Sequence, residues 1–148
     1  MNMRNIKFRG KDIKTGKWIY GDLVNVCNSK NEYVIGIKNT PCHVNNKKFD
    51  LIPDVVIPET VGEYTGLKDK HGKEVYEGDI LNIKTSYKNN MLDKRFQNKT
   101  IVIIKFKNGS FVDDNTSTSL AEKIYFTGGK TNYEIIGNIC ENPELLEV

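Results

Sequence analysis

The chain has 148 residues, of which 38% are hydrophobic and 28% charged, and its formal net charge at pH 7 is +3. A chain of this length buries roughly 68–70% of its unfolded surface, so it needs neither disulfides nor a structural metal to make a core, and its composition lies far from that of disordered chains. No apolar run reaches the length of a secretory leader or a bilayer span, and Cys27, Cys42 and Cys140 are an odd number at wide spacings, so the expectation is a reduced, cytoplasmic protein with no membrane partner.

The small net charge hides alternating blocks. Residues 1–49 carry ten basic and three acidic side chains, residues 50–83 three and eight, residues 84–107 seven and one, and residues 108–148 two and seven. Blocks of opposite sign can pair within a fold, so the balance by itself is weak evidence for nucleic acid.

Short runs rich in Val, Ile, Tyr and Phe recur between turn signals, and helical periodicity is nearly absent, which predicts a mainly β protein. Strands are predicted at residues 6–9, 18–26, 33–37, 55–57, 80–84, 101–106, 110–112 and 133–136. Pro53 and Pro58 flank Asp54-Val55-Val56-Ile57 and limit it to a short edge strand or connection. A soft boundary near residue 60 divides an N-terminal β region, 1–60, from a domain over 61–148 on which it packs. The stretch from Thr85 to Thr100 is polar and rich in Lys and Asn, which predicts a long exposed loop or an extended hairpin arm. Ile101-Val102-Ile103-Ile104 is apolar at every position, so a central strand covered on both faces is expected. Asn108-Gly109 tolerates the positive φ angles of a type I′ turn and predicts a hairpin into Phe111-Val112. Two very short helices are expected, one from the capping-box spacing of Ser119 and Glu122 and one from Asn142-Pro143-Glu144.

The segment from Lys14 to Leu23 is echoed by the segment from Lys70 to Ile80, with Glu77 inserted in the second copy. In each, a glycine turn leads to an aromatic residue, then Gly-Asp, then an aliphatic strand, as two similar hairpins would require. Duplication and recurrent turn chemistry both account for it.

Tyr64-Thr65-Gly66-Leu67-Lys68-Asp69, Gly72-Lys73-Glu74-Val75-Tyr76-Glu77-Gly78-Asp79-Ile80 and the closing run from Ile136 to Leu146 resemble the signature segments of the YopX family. Ile6-Lys7-Phe8-Arg9-Gly10 and Trp18-Ile19-Tyr20-Gly21-Asp22 are similar to that family's N-terminal block, so the likeness covers nearly the whole chain. The resemblance implies a bacteriophage or prophage protein with a β fold whose C-terminal part is similar to an SH3-like barrel. It implies no mechanism, and no catalytic or binding residue carries over from it.

Asp22 and Asp79, each in a Gly-Asp pair, read first as turn residues whose carboxylates accept backbone N–H bonds. The sharper alternative is a small enzyme acting through Asp22, Asp69 or Asp79, for which no nucleophile, base and orienting group can be assembled. His43 and His71 are the only histidines, Cys42-His43 is the only Cys-His pair, and zinc-ligand spacing is missing, so no metal or cofactor is expected. The aromatic set Phe8, Trp18, Tyr20, Tyr64, Tyr76, Phe106 and Phe111 reads as core.

The candidate interaction surface is the basic stretch 84–107. Lys84, Lys88, Lys94, Arg95 and Lys99 are interleaved there with Tyr87 and Phe96, a mixture that contacts phosphates and stacks bases in nucleic-acid proteins and that elsewhere is a solvated loop. The leading expectation is a non-enzymatic binding or accessory protein with a protein partner or self-association. Nucleic-acid binding through residues 84–107 is the alternative, and self-association would use exposed β edges.

Overall fold

The computed structural model describes residues 5–27, 33–38, 54–89, 94–126 and 132–147. The Cys42-His43 pair and Pro53 lie outside them. Ten strands carry most of the regular structure of the described residues: β1 (Phe8–Lys11), β2 (Trp18–Cys27), β3 (Tyr33–Lys38), β4 (Asp54–Val55), β5 (Gly62–Lys68), β6 (Glu74–Tyr76), β7 (Asp79–Asn89), β8 (Lys94–Lys107), β9 (Ser110–Asp113) and β10 (Tyr133–Asn138). One α-helix, α1 (Leu120–Phe126), and 3-10 turns at Pro58–Thr60 and Pro143–Leu146 complete them. The protein is therefore mainly β with very short helices, and among the described residues no helix is long and apolar enough to cross a membrane.

The chain divides into two compact units, Met1–Tyr64 and Thr65–Val148, and β5 begins in the first and ends in the second. In the first unit the strand order is β4-β3-β2-β1-β5, with antiparallel pairing of β1 to β2 and β5, of β2 to β3 and of β3 to β4. The register sets Arg9 opposite Tyr20 and Lys11 opposite Trp18, so the four share a face. The Arg9 guanidinium lies 4.6 Å from the Trp18 ring centre, the Lys11 ammonium 5.5 Å from it, and the Lys7 ammonium 4.8 Å from that of Tyr64. Here the aromatic rings serve as cation seats as well as apolar cover.

In the second unit β6 neighbours β5, and a four-stranded antiparallel sheet runs in the order β10-β7-β8-β9. Leu81 faces Val102 in register, and Ile83 and Ile104 continue the same face, which packs into a core with Val75, Leu120 and Tyr133. The opposite face is not covered in the same way. Ile101 is 37% exposed and lies opposite Asn82, which in turn neighbours Glu134 on β10. The Ile101–Ile104 run is central but covered on one side only at Ile101, where the register partners are polar, whereas on that same face Ile80 is buried and Ile103 half-buried. No closed barrel is found among the pairings of the described residues.

Turn chemistry explains the chain reversals. Asn108 and Gly109 have φ of 51° and 81° between the facing residues Lys107 and Ser110, as the two-residue hairpin requires. Of the expected core aromatics, Tyr64 and Tyr76 are buried, whereas Tyr20 and Phe106 are more than 40% exposed. Phe106 keeps an edge-to-face contact with Phe111, their ring centres 5.1 Å apart.

Candidate partner-binding site

The aspartates weighed as catalytic groups are engaged with backbone. Asp69 Oδ1 accepts the N–H groups of His71 and Lys73 at 2.8 and 2.9 Å, and its Oδ2 accepts that of Ile135 at 3.2 Å. Burial opposes the charge on Asp69, but these three donors prevail and hold its carboxyl below the ordinary range. Asp79 is 1% exposed, and its Oδ2 accepts the Tyr76 N–H at 2.8 Å. Asp22 is an exposed position of β2, opposite Lys38. Among the described residues no group of three or more His, Cys, Asp or Glu is placed to hold a metal ion. His71 is exposed, in the turn held by Asp69, with its Nε2 3.9 Å from Glu134.

The same bonding recurs at two other turns. Asp12 Oδ1 accepts the N–H groups of Lys14 and Thr15 and the Thr15 hydroxyl, while the Gly16 N–H returns to the Asp12 carbonyl. Asp113 accepts from the Asn115 N–H and the Thr116 hydroxyl, and the Ser117 N–H returns to its carbonyl. Gly16 and Ser117 have φ of 66° and 55°. The sequence echo pairs Lys14–Leu23 with Lys70–Ile80, whereas the loop with the length and bonding of that after Asp12 follows Asp113. Serine in place of glycine at the left-handed position conceals that likeness.

The basic stretch forms a hairpin. β7 and β8 pair without a break from Ile80 opposite Ile103 to Asn89 opposite Lys94. β10 reaches only to Tyr133 opposite Ile83, with one further bond from the Lys84 N–H to the Asn132 carbonyl. Beyond these rows β7 and β8 continue among the described residues as a two-stranded ribbon, the extended hairpin arm of the two forms expected for this stretch. Lys84 lies opposite Lys99, Ser86 opposite Gln97, and Lys88 opposite Arg95. These six positions share one face by the two-residue period of a strand. Tyr87 opposite Phe96, and Asn89 opposite Lys94, belong to the other.

The register therefore separates what the linear sequence interleaves. By register, positions 84, 88, 95 and 99 fall on the face on which Ile101, Lys84 and Lys99 are exposed, whereas positions 87 and 96 alternate onto the face of Leu81, Ile83 and Val102. Lys94 falls with the aromatic pair and not with the other four cations. The pairs 84 and 99, 87 and 96, and 88 and 95 are symmetric about the middle of the hairpin, a signal present in the sequence once the turn is placed between them. Ser86 and Gln97, on the cationic face, were not singled out in the sequence.

Acidic side chains pair with lysines around the four-stranded sheet. Asp114 binds Lys107 and lies 3.7 Å from Lys105. Glu134 binds Lys70, whose hydrogen bond outweighs desolvation and lowers the Glu134 pKa, with the nearby charge of Lys84 adding to the effect.

A family model described as YopX protein matches residues 7–147. No curated protein matches the chain. The crystal structure of protein EF1440 from Enterococcus faecalis is similar, with 24% identity, a TM-score of 0.56, and cover of 96% of this chain and 98% of that one. That likeness is one of fold.

Proposed function

From the premise that the chain belongs to the YopX family, we propose that it is a phage- or prophage-encoded, non-enzymatic binding or accessory protein of the host cytoplasm whose β7–β8 ribbon engages a negatively charged partner. The observation that carries this reading is the register, which gathers Lys84, Lys88, Arg95 and Lys99 on one face as two directly opposed like-charge pairs. Such pairs cost stability in the free protein, and a polyanion relieves that cost. The backbone engagement of Asp69 and Asp79 supports the non-enzymatic half of the reading.

Retention on heparin, a generic polyanion, tests it. Replacing Lys88 and Arg95 by Ser should move elution to clearly lower salt, whereas replacing the exposed Lys17 and Lys68 by Ser removes the same net charge and should move it little. Equal shifts in the two double variants would reduce the ribbon to a carrier of unspecific charge. A second reading, self-association, is favoured by the opposed Tyr87 and Phe96, an aromatic cross-strand pair on the face that continues the core. Sedimentation velocity would reveal it as a concentration-dependent species that Tyr87→Ser with Phe96→Ser removes.

A further inference from the structure

We infer that the ribbon's partner is double-helical DNA, met across its major groove by the face that carries Lys84, Ser86, Lys88, Arg95, Gln97 and Lys99; this deepens the polyanion reading above and rests on it. The two cationic rows, Lys84 with Lys99 and Lys88 with Arg95, are four residues apart along β7. At ~3.4 Å per residue that is about 14 Å. The major groove of B-DNA is about 12 Å wide and admits a two-stranded β-ribbon. A ribbon laid across it brings one pair of cations to each phosphate wall. Between the rows, in register with one another, are Ser86 and Gln97. Neutral hydrogen-bonding residues of these types read base edges, glutamine pairing with adenine in two bonds.

The separation of charge from aromatics decides between forms of nucleic acid. Proteins that hold single strands combine a basic track with rings on which the bases stack. Here positions 87 and 96 alternate in register with positions 84, 88, 95 and 99, and Lys94 alone of the cations falls with them, so the four-cation face is not interleaved with rings as such a track is. Duplex RNA has a deep, narrow major groove that excludes a ribbon. An acidic protein could neutralise the four charges, but it has no regular pair of anionic walls at the spacing of the rows.

Fluorescence anisotropy of the full chain with a labelled DNA duplex, either of its single strands, the corresponding RNA duplex, and poly-glutamate tests the inference. Four neutralised phosphates give a log–log salt slope of about −3.6, so duplex affinity should fall about 150-fold between ~50 and ~200 mM salt. With Lys88→Ser and Arg95→Ser the slope should shrink to about −1.8, a loss of about 12-fold over the same range, while Lys17→Ser with Lys68→Ser should keep the parent slope. Duplex DNA should bind at least about tenfold tighter than the other probes, the order expected when a groove contact is added to charge alone. Equal or tighter binding of single strands, duplex RNA or poly-glutamate overturns the inference, and so does an unchanged slope in the ribbon variant. If heparin retention still depends on Lys88 and Arg95 while duplex DNA is ignored, the inference falls and the polyanion reading stands; if neither probe responds to those residues, both fall. Circular dichroism checks that the variants fold, and Lys88→Gln with Arg95→Gln carries the same test should the serine pair disturb the ribbon.

Discussion

Asp113 shows how much one carboxylate holds in this protein. It is 1% exposed, accepts from the Asn115 N–H and the Thr116 hydroxyl, and takes the Lys123 ammonium at 2.5 Å, a group itself only 17% exposed. Asp113→Ala strands those donors, and because breaking a buried ion pair leaves a charge without its partner it should lower the unfolding free energy by about 3 kcal/mol in urea titrations. Thr116→Val removes one hydroxyl and should cost about 1 kcal/mol. Gly137 is constrained from another direction. A Cβ there would lie 2.6 Å from Asn142 Oδ1 and 2.9 Å from Leu145 Cδ1. The Asn142 oxygen also receives the Asn138 N–H at 3.3 Å, so it cannot retreat without weakening that bond. Gly137→Ala should destabilise by ~1–3 kcal/mol, the range for overpacking, read from the same titrations. An effect near zero would show that the turn at Asn138–Asn142 moves aside freely.

Elements whose signal is local were legible in the sequence, and those whose support is distant were less so. Asn108-Gly109 announces its turn because the required φ angles belong to those two residues. β5 is missing from the predicted strands because Gly62-Glu63-Tyr64-Thr65-Gly66-Leu67-Lys68 has two glycines and little apolar character; its pairing comes from β1 and β6. The outer halves of β7 and β8 were foreseen only as a loop or an arm, since a stretch rich in Lys and Asn gives no periodic apolar pattern. The candidate residues were legible as a charged stretch, but their division between two faces depends on register. That division makes a prediction for the ribbon itself. Lys99→Glu converts the like-charge pair with Lys84 into an opposite-charge pair, which should stabilise the protein by ~0.2–1 kcal/mol while weakening heparin retention. Thermal unfolding and salt elution measured together would show gain and loss in one variant. A destabilised Lys99→Glu protein would contradict the pairing.

For the whole molecule, the described carboxylates with perturbed titration lean in one direction. Thr15 donors hold Asp12 below its ordinary pKa, hydrogen bonding from Lys107 does the same at Asp114 and from Lys70 at Glu134, and at Asp69 three backbone donors overcome burial. A carboxyl whose pKa is lower in the folded than in the unfolded chain stabilises the fold when ionised. That contribution is fully present above the unfolded values, near 3.8 for the aspartates and 4.5 for Glu134, and is lost as pH falls through the lowered folded values. The thermal midpoint should thus hold steady from neutrality to about pH 5 and then fall, steepening below about pH 4. Asp69→Asn separates the contributions. It keeps one carbonyl acceptor but loses the charge, so its midpoint should lie below the parent's at neutral pH and fall less on acidification. Salt distinguishes it further: screening weakens the exposed ion pairs of Asp114 and Glu134 more than the short backbone bonds of Asp69. The acid-sensitive difference between parent and Asp69→Asn should therefore persist in concentrated salt. If it disappears there, the lowered pKa of Asp69 comes from neighbouring cations, and the turn that joins β5 to β6 is held by charge in place of hydrogen bonds.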